Sequence, residues 1–142
     1  MGGEQPSQES DVVPTVFVVD DDPAVLKGLS RLLRSVRLEA ATFTSPLEFL
    51  ERFDPKAPSC LVLDLSMPGL NGFELQEALM KKGSAVPIIF LTGHDDVPTS
   101  VEAMQRGALD FLTKPVNDED LLKAVLAAIE QDRIARQARA ES

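Results

Sequence analysis

Four apolar runs in this chain each lead into a residue that carries chemistry. Val16-Phe17-Val18-Val19 precedes Asp20 and Asp21, and Cys60-Leu61-Val62-Leu63 precedes Asp64. Ile88-Ile89-Phe90-Leu91 precedes Thr92, and Phe111-Leu112-Thr113 precedes Lys114. Runs such as Leu61-Val62-Leu63 do not alternate with polar residues, which is the pattern of strands buried on both faces. Strands of a parallel sheet finish at one edge. Residues far apart in the chain would then meet in a single crevice, bringing together carboxylates, a hydroxyl and an ammonium.

Helical patterns separate the runs. A stripe of Val25, Leu26, Leu29, Leu32, Leu33 and Val36 predicts a helix from Pro23 to about Val36. A short strand near Ala40–Phe43 and a helix near Pro46–Phe53, with Leu47, Leu50 and Phe53 inward, follow. After the Cys60–Asp64 strand, the loop Met67-Pro68-Gly69-Leu70-Asn71-Gly72 leads into a helix reaching about Lys82. Pro87–Thr92 reads as a strand, Val97–Arg106 as a weaker helix bearing Val101 and Met104, and Leu109–Thr113 as the last strand. A final helix from about Asp118 carries a seam of Leu121, Leu122, Val125, Leu126 and Ile129, and Asp132 and Arg133 stand where that seam should continue. Five strand–helix units in alternation predict an α/β domain with a parallel sheet covered on both faces.

The expected organisation is a disordered tail over 1–14, one folded domain over 15–130, and a basic, linker-like helical tail over 131–142 bearing Arg133, Arg136 and Arg139. At 142 residues the chain suits one domain. Its formal net charge is −9, and 19 acidic against 11 basic residues fall between Thr15 and Asp132, so the folded body should repel nucleic acid. No apolar run approaches the roughly 20 residues needed to span a bilayer. The first ten residues lack the pattern of a secretory signal, and Pro6 stands where myristoylation wants Ser or Thr. The single cysteine, Cys60, rules out an internal disulfide, fits a cytoplasmic setting and reads as a packing residue.

Asp20, Asp21 and Asp22 are consecutive and cannot share one task. Asp22 before Pro23 suits a helix N-cap followed by an N1 proline. Asp20 and Asp21 face the crevice, where Asp64 would join them. Three carboxylates repel one another and call for a cation, and oxygen-only ligation favours Mg²⁺ over zinc. Lys114 supplies a positive charge opposite, beside Pro115, which can hold a cis bond. Thr92, followed by permissive Gly93, offers a hydroxyl. A cation and a lysine screen the approach of a carboxylate to an anionic phosphoryl group, so these ingredients suit phosphoryl transfer to an aspartate. His94, the one histidine, has no neighbouring ligand and reads as an exposed loop residue.

The segments V-V-D-D-D-P, L-V-L-D-L-S-M-P-G-L-N-G, F-L-T-G-H and G-A-L-D-F-L-T-K-P together resemble the receiver domain of two-component response regulators. Phe111 and Lys114 follow Thr92 by 19 and 22 residues, as that family requires, and the resemblance runs from about Thr15 to Ile129. It implies a flavodoxin-like (βα)5 three-layer sandwich with strand order 2-1-3-4-5. It further implies that Asp64 accepts a phosphoryl group from a sensor histidine kinase. Asp21, Asp64 and the Ser66 carbonyl would bind Mg²⁺ directly, with Asp20 acting mainly through water. Lys114 would contact the phosphoryl oxygens, Thr92 would move toward them, and Phe111 would turn inward behind Thr92. That turn would alter the surface of the fourth helix, fifth strand and fifth helix and strengthen a homodimer.

The wording G-H-D-D-V-P…V-E-A-M is similar to the FixJ-like branch, whose members carry a LuxR-type helix-turn-helix. No such domain follows here, so the branch resemblance implies a receiver piece of a transcription factor, with DNA reached through a domain outside this chain. A single-domain regulator is the alternative. Ser66, where the family often has a longer or charged side chain, leaves the phosphoryl lifetime open.

Two other functions compete. A haloacid-dehalogenase-like phosphatase would use Asp20 as nucleophile and Asp22 as general acid, but Pro23 and the missing fourth acidic motif oppose it. A receiver-like module that is never phosphorylated would normally have lost one of Asp20, Asp21, Asp64, Thr92 and Lys114.

Overall fold

Alternate residues of the central strands feed two separate cores, one on either face of a five-stranded parallel sheet ordered β2-β1-β3-β4-β5. The structure is a computed structural model and describes residues 13–65, 67, 71–93 and 97–141, with 97–100 and 141 described by backbone alone. The strands are β1 (Thr15–Val19), β2 (Glu39–Phe43), β3 (Ser59–Asp64), β4 (Ile88–Thr92) and β5 (Asp110–Thr113). The helices are α1 (Pro23–Ser35), α2 (Pro46–Arg52), α3 (Gly72–Lys81), α4 (Val97–Gln105) and α5 (Asp118–Glu141). The α/β class and the 2-1-3-4-5 order agree with expectation.

On one face Val16, Val18, Val62, Ile89 and Leu91 pack against Leu26, Leu29 and Leu33 of α1 and Leu121, Val125 and Ile129 of α5. On the other, Phe17, Leu61, Leu63 and Phe90 meet Phe49 of α2, Leu75 and Leu79 of α3 and Ala103 of α4. Both faces are dry along β1, β3 and β4, so these strands could not alternate with polar residues. Each fully buried Leu or Phe contributes about 1.5–3 kcal/mol.

Local chemistry starts the helices. Asp22 Oδ1 accepts Ala24 N–H at 3.0 Å with Pro23 behind it, as expected for the cap of α1. Ser45 caps α2 before Pro46, and Asn71 and Glu74 form a reciprocal capping box on α3. Gly72 is required for close approach. A Cβ there would come within 3.0 Å of Leu65 Cα and of the Phe90 ring, so a larger residue would push α3 off the end of β3.

Four details depart from expectation. Val36, read as the end of the inward stripe of α1, is its C-cap and 40% exposed. Leu47 is 62% exposed and Phe49 is fully buried, because over two turns the inward seam runs Pro46, Phe49, Leu50, Phe53. Leu126 is likewise exposed, lying off the line of Leu121, Val125, Ala128 and Ile129. Asp132 continues that line and is buried with it, while α5 runs unbroken to Glu141. The expectation of disorder over 1–14 falls outside the described residues except at Val13 and Pro14, where the Pro14 carbonyl accepts Glu39 N–H at 3.0 Å.

Candidate functional site

The register that pairs Val19 with Leu63, and Asp64 with Leu91, brings the carboxyl ends of β1, β3 and β4 level. Asp20 follows β1 with no exposed surface, held by its N–H to Phe43 O at 3.1 Å. Its Oδ1 accepts Asp22 N–H at 2.9 Å, so the residue that caps α1 also orients this carboxylate. Asp64, the last residue of β3, is 5% exposed. Asp21 is exposed at the rim, and one oxygen from each of Asp20, Asp21 and Asp64 lies within 4.8 Å of the others. Asp22, turned away into its cap, takes no part in this grouping.

Lys114 reaches the same point from the end of β5. Its Nζ stands 2.9 Å from Asp20 Oδ2 and 3.4 Å from Asp64 Oδ2. Its backbone N–H donates to Thr92 O at 2.8 Å, which ties β5 to β4 just below the crevice. The Lys114–Pro115 bond is cis. Burial works to lower the Lys114 pKa, but hydrogen bonding to Asp20 and the charges of Asp64 and Asp20 outweigh it and hold the ammonium above its usual range. Lys114 stays charged throughout the physiological range.

One lysine does not neutralise three carboxylates. Two carboxylate charges at 4.8 Å repel by roughly 3 kcal/mol at an effective dielectric near 20, though the exposed Asp21 is better screened. Asp20 Oδ2 is buried with the Lys114 ammonium beside it at 2.9 Å, which leaves the oxygens of Asp21 and Asp64 to be balanced. The donors are oxygens, with no His or Cys in the group, which suits Mg²⁺. Ser66 and His94 lie outside the described residues.

Thr92 closes β4 at 2% exposure, and Phe111 on the edge strand β5 is 36% exposed. With Val101 (51%) and Met104 (41%) on α4, it adds apolar surface to the α4–β5 side. Reasoning from the sequence missed the node behind α4. Arg106 stacks on Phe73 at 4.7 Å and pairs with Glu102 at 2.9 Å, and its carbonyl accepts from buried Gln76 at 3.0 Å. The i,i+4 spacing of Glu102 and Arg106 was the available signal.

A profile of the response regulator receiver domain matches residues 16–126. Nodulation protein W of Bradyrhizobium diazoefficiens is 48% identical over 130 residues, covering 92% of this chain and 57% of that protein. The transcriptional regulatory protein FixJ of Azorhizobium caulinodans is 44% identical over 126 residues, covering 89% and 59%. Among solved structures, response regulator StyR superposes with a TM-score of 0.85 at 46% identity, over 92% of this chain and 66% of that one. Full-length FixJ from B. japonicum gives 0.80 at 39%, over 89% and 62%. The chain spans little more than half the length of these curated relatives. No helix among the described residues is long and apolar enough to cross a membrane.

Proposed function

The chain belongs to the response regulator receiver domain family, and from that premise we propose that Asp64 is its phosphoacceptor. The observation that carries this reading is the position of Asp64, at the end of β3 beside Asp20, Asp21 and Lys114. Asp22, which a phosphatase of the rival kind would need as its acid, is spent on a helix cap.

In the proposed reaction, the phosphorus–nitrogen bond of a phosphohistidine on a sensor kinase breaks as a phosphorus–oxygen bond to the Asp64 carboxylate forms, and the imidazole leaves. Asp20, Asp21, Asp64 and the Ser66 carbonyl would hold Mg²⁺, which when bound offsets the charge of the phosphoryl oxygens. Lys114, already over Asp64, pairs with those oxygens and lowers the repulsion between carboxylate and phosphoryl group. Thr92 donates its hydroxyl to the phosphoryl group, and Phe111 then leaves its exposed place and packs behind Thr92. The chain catalyses its own phosphorylation and dephosphorylation and no other turnover.

Residues 15–130 form the receiver and 131–142 the start of a linker. Inward packing of Phe111 reshapes the α4–β5–α5 surface and favours a homodimer there, in the cytoplasm. DNA is contacted through a further domain of the kind the relatives' length leaves room for. Incubation with Mg²⁺ and a small-molecule phosphodonor tests the reading by intact mass. The expected result is a gain of one phosphoryl group, abolished by Asp64→Asn. Labelling that survives Asp64→Asn and is lost in Asp20→Asn would favour the phosphatase-like reading. No gain in the unaltered chain would favour the unphosphorylated module.

A further inference from the structure

Asp132 is 4% exposed in the second half of a helix where Gln131 and Arg133 on either side of it face water. It continues the seam of Val125, Ala128 and Ile129, three and four residues on, so α5 carries a carboxylate into the place of an apolar side chain. A buried carboxylate is costly unless paired and hydrogen-bonded. Asp132 is both. Its Oδ2 accepts the backbone N–H of Ser59 at 2.9 Å and Arg136 Nε at 2.7 Å. Ser59 is the first residue of β3; its hydroxyl donates to Ala57 O at 2.6 Å, and its amide donates to Asp132.

The surroundings leave little slack. Lys82 and Arg136 both border a cavity of about 400 Å³ beside this contact, yet Lys82 Nζ donates to Leu50 O at 3.1 Å and Arg136 to Asp132. The neighbouring Cys60 thiol is pushed up to about 12 by burial and, secondarily, by the Asp132 charge, consistent with a fixed carboxylate at the head of the strand.

We propose that Asp132 is a positioning residue that pins the last turns of α5 to the first residue of β3, so that the helix leaves the domain in a direction set by the sheet. Among the described residues, Asp132 is the last buried one on α5, three positions past Ile129 and ahead of the turns bearing Arg133, Arg136 and Arg139. Whatever the helix leads into takes its orientation from β3, the strand that ends at Asp64. The contact stands on its own geometry, whether or not Asp64 is phosphorylated.

Backbone amide exchange and residual dipolar couplings on the full 142-residue chain test this. In the unaltered chain, amides 131–139 should be protected to within about tenfold of 121–129, and their couplings should fit the alignment of the sheet. In Asp132→Ala, exchange at Ser59 and 131–139 should rise at least tenfold and those couplings should average away from the sheet's alignment. Asp132→Asn, which keeps an acceptor oxygen for Ser59, should restore most of both. Labelling by a small-molecule phosphodonor should stay within twofold in each variant. A folded Asp132→Ala whose residues 131–139 keep their protection and alignment overturns the proposal. Should that variant not fold, the unaltered chain still decides: exchange of 131–139 at the rate of an unstructured peptide overturns it as well.

Discussion

The two ends of β3 carry the same pairing, a buried carboxylate beside a cation, and put it to opposite uses. At Ser59 the Asp132 carboxylate faces one amide and one guanidinium, and its charge is matched. At Asp64, five residues along the same strand, three carboxylates crowd around one lysine. A matched pair, with its carboxylate buried, holds structure. An unmatched one, open to solvent through Asp21, stores repulsion that a cation or an incoming group can relieve.

The sharpest way to break this contrast is to neutralise the unmatched end. Asp64→Asn should reduce phosphodonor labelling by at least ~10³-fold, yet leave the fold as stable or more so by about 1 kcal/mol, because a repelling charge is gone. Intact mass and urea unfolding read the two effects. At the matched end the signs reverse. Asp132→Ala should leave labelling intact and cost about 2–4 kcal/mol, since a buried amide and a guanidinium lose their partner; a shift in the urea midpoint measures it.

Cys60 sharpens the contrast through pH. Its folded pKa of about 12 exceeds the ordinary 9.0, so above pH 9 the folded chain holds a proton that the unfolded chain releases. That contribution is whole below pH 9 and fades as pH climbs toward 12, at about 1.4 kcal/mol per pH unit. Cys60→Ala should flatten the slope of stability against pH in that window. Mg²⁺ should act only at the unmatched end. At ten times its dissociation constant it should stabilise the chain by about 1.4 kcal/mol, raising the melting temperature reversibly to chelator, and Asp20→Asn should erase the shift. The smallest effect belongs to neither end. Arg37 sits at φ 67 after α1, a left-handed conformation strained for a side chain. Arg37→Gly should stabilise by about 0.5–1 kcal/mol, offset in part by the freer unfolded chain.

Much of the fold and of the crevice was legible in the sequence because their signals are local. Uninterrupted runs such as Leu61-Val62-Leu63 state that both faces of a strand are covered. Asp22 before Pro23 states a helix start, and both appear in the structure as read. Seams on short helices were less secure. Leu47 and Phe49 are both apolar, and over two turns the sequence alone does not choose between them; the space beside Phe17 and Phe43 does, with ring centroids 5.8 and 5.5 Å from Phe49. Asp132 was legible as a break in a stripe and illegible as a buried group, because its partner, the amide of Ser59, lies 73 positions away and carries no side-chain signature.

The order of residue types along the chain therefore determined the layers, the helix starts and the edge at which Asp20, Asp21, Asp64, Thr92 and Lys114 gather, since each follows from periodicity or from neighbours a few positions apart. Tertiary structure decided how far the charges at each end of β3 are balanced. That balance depends on distances between groups remote in the chain and on how much water remains among them, and neither quantity is written in any local stretch of sequence.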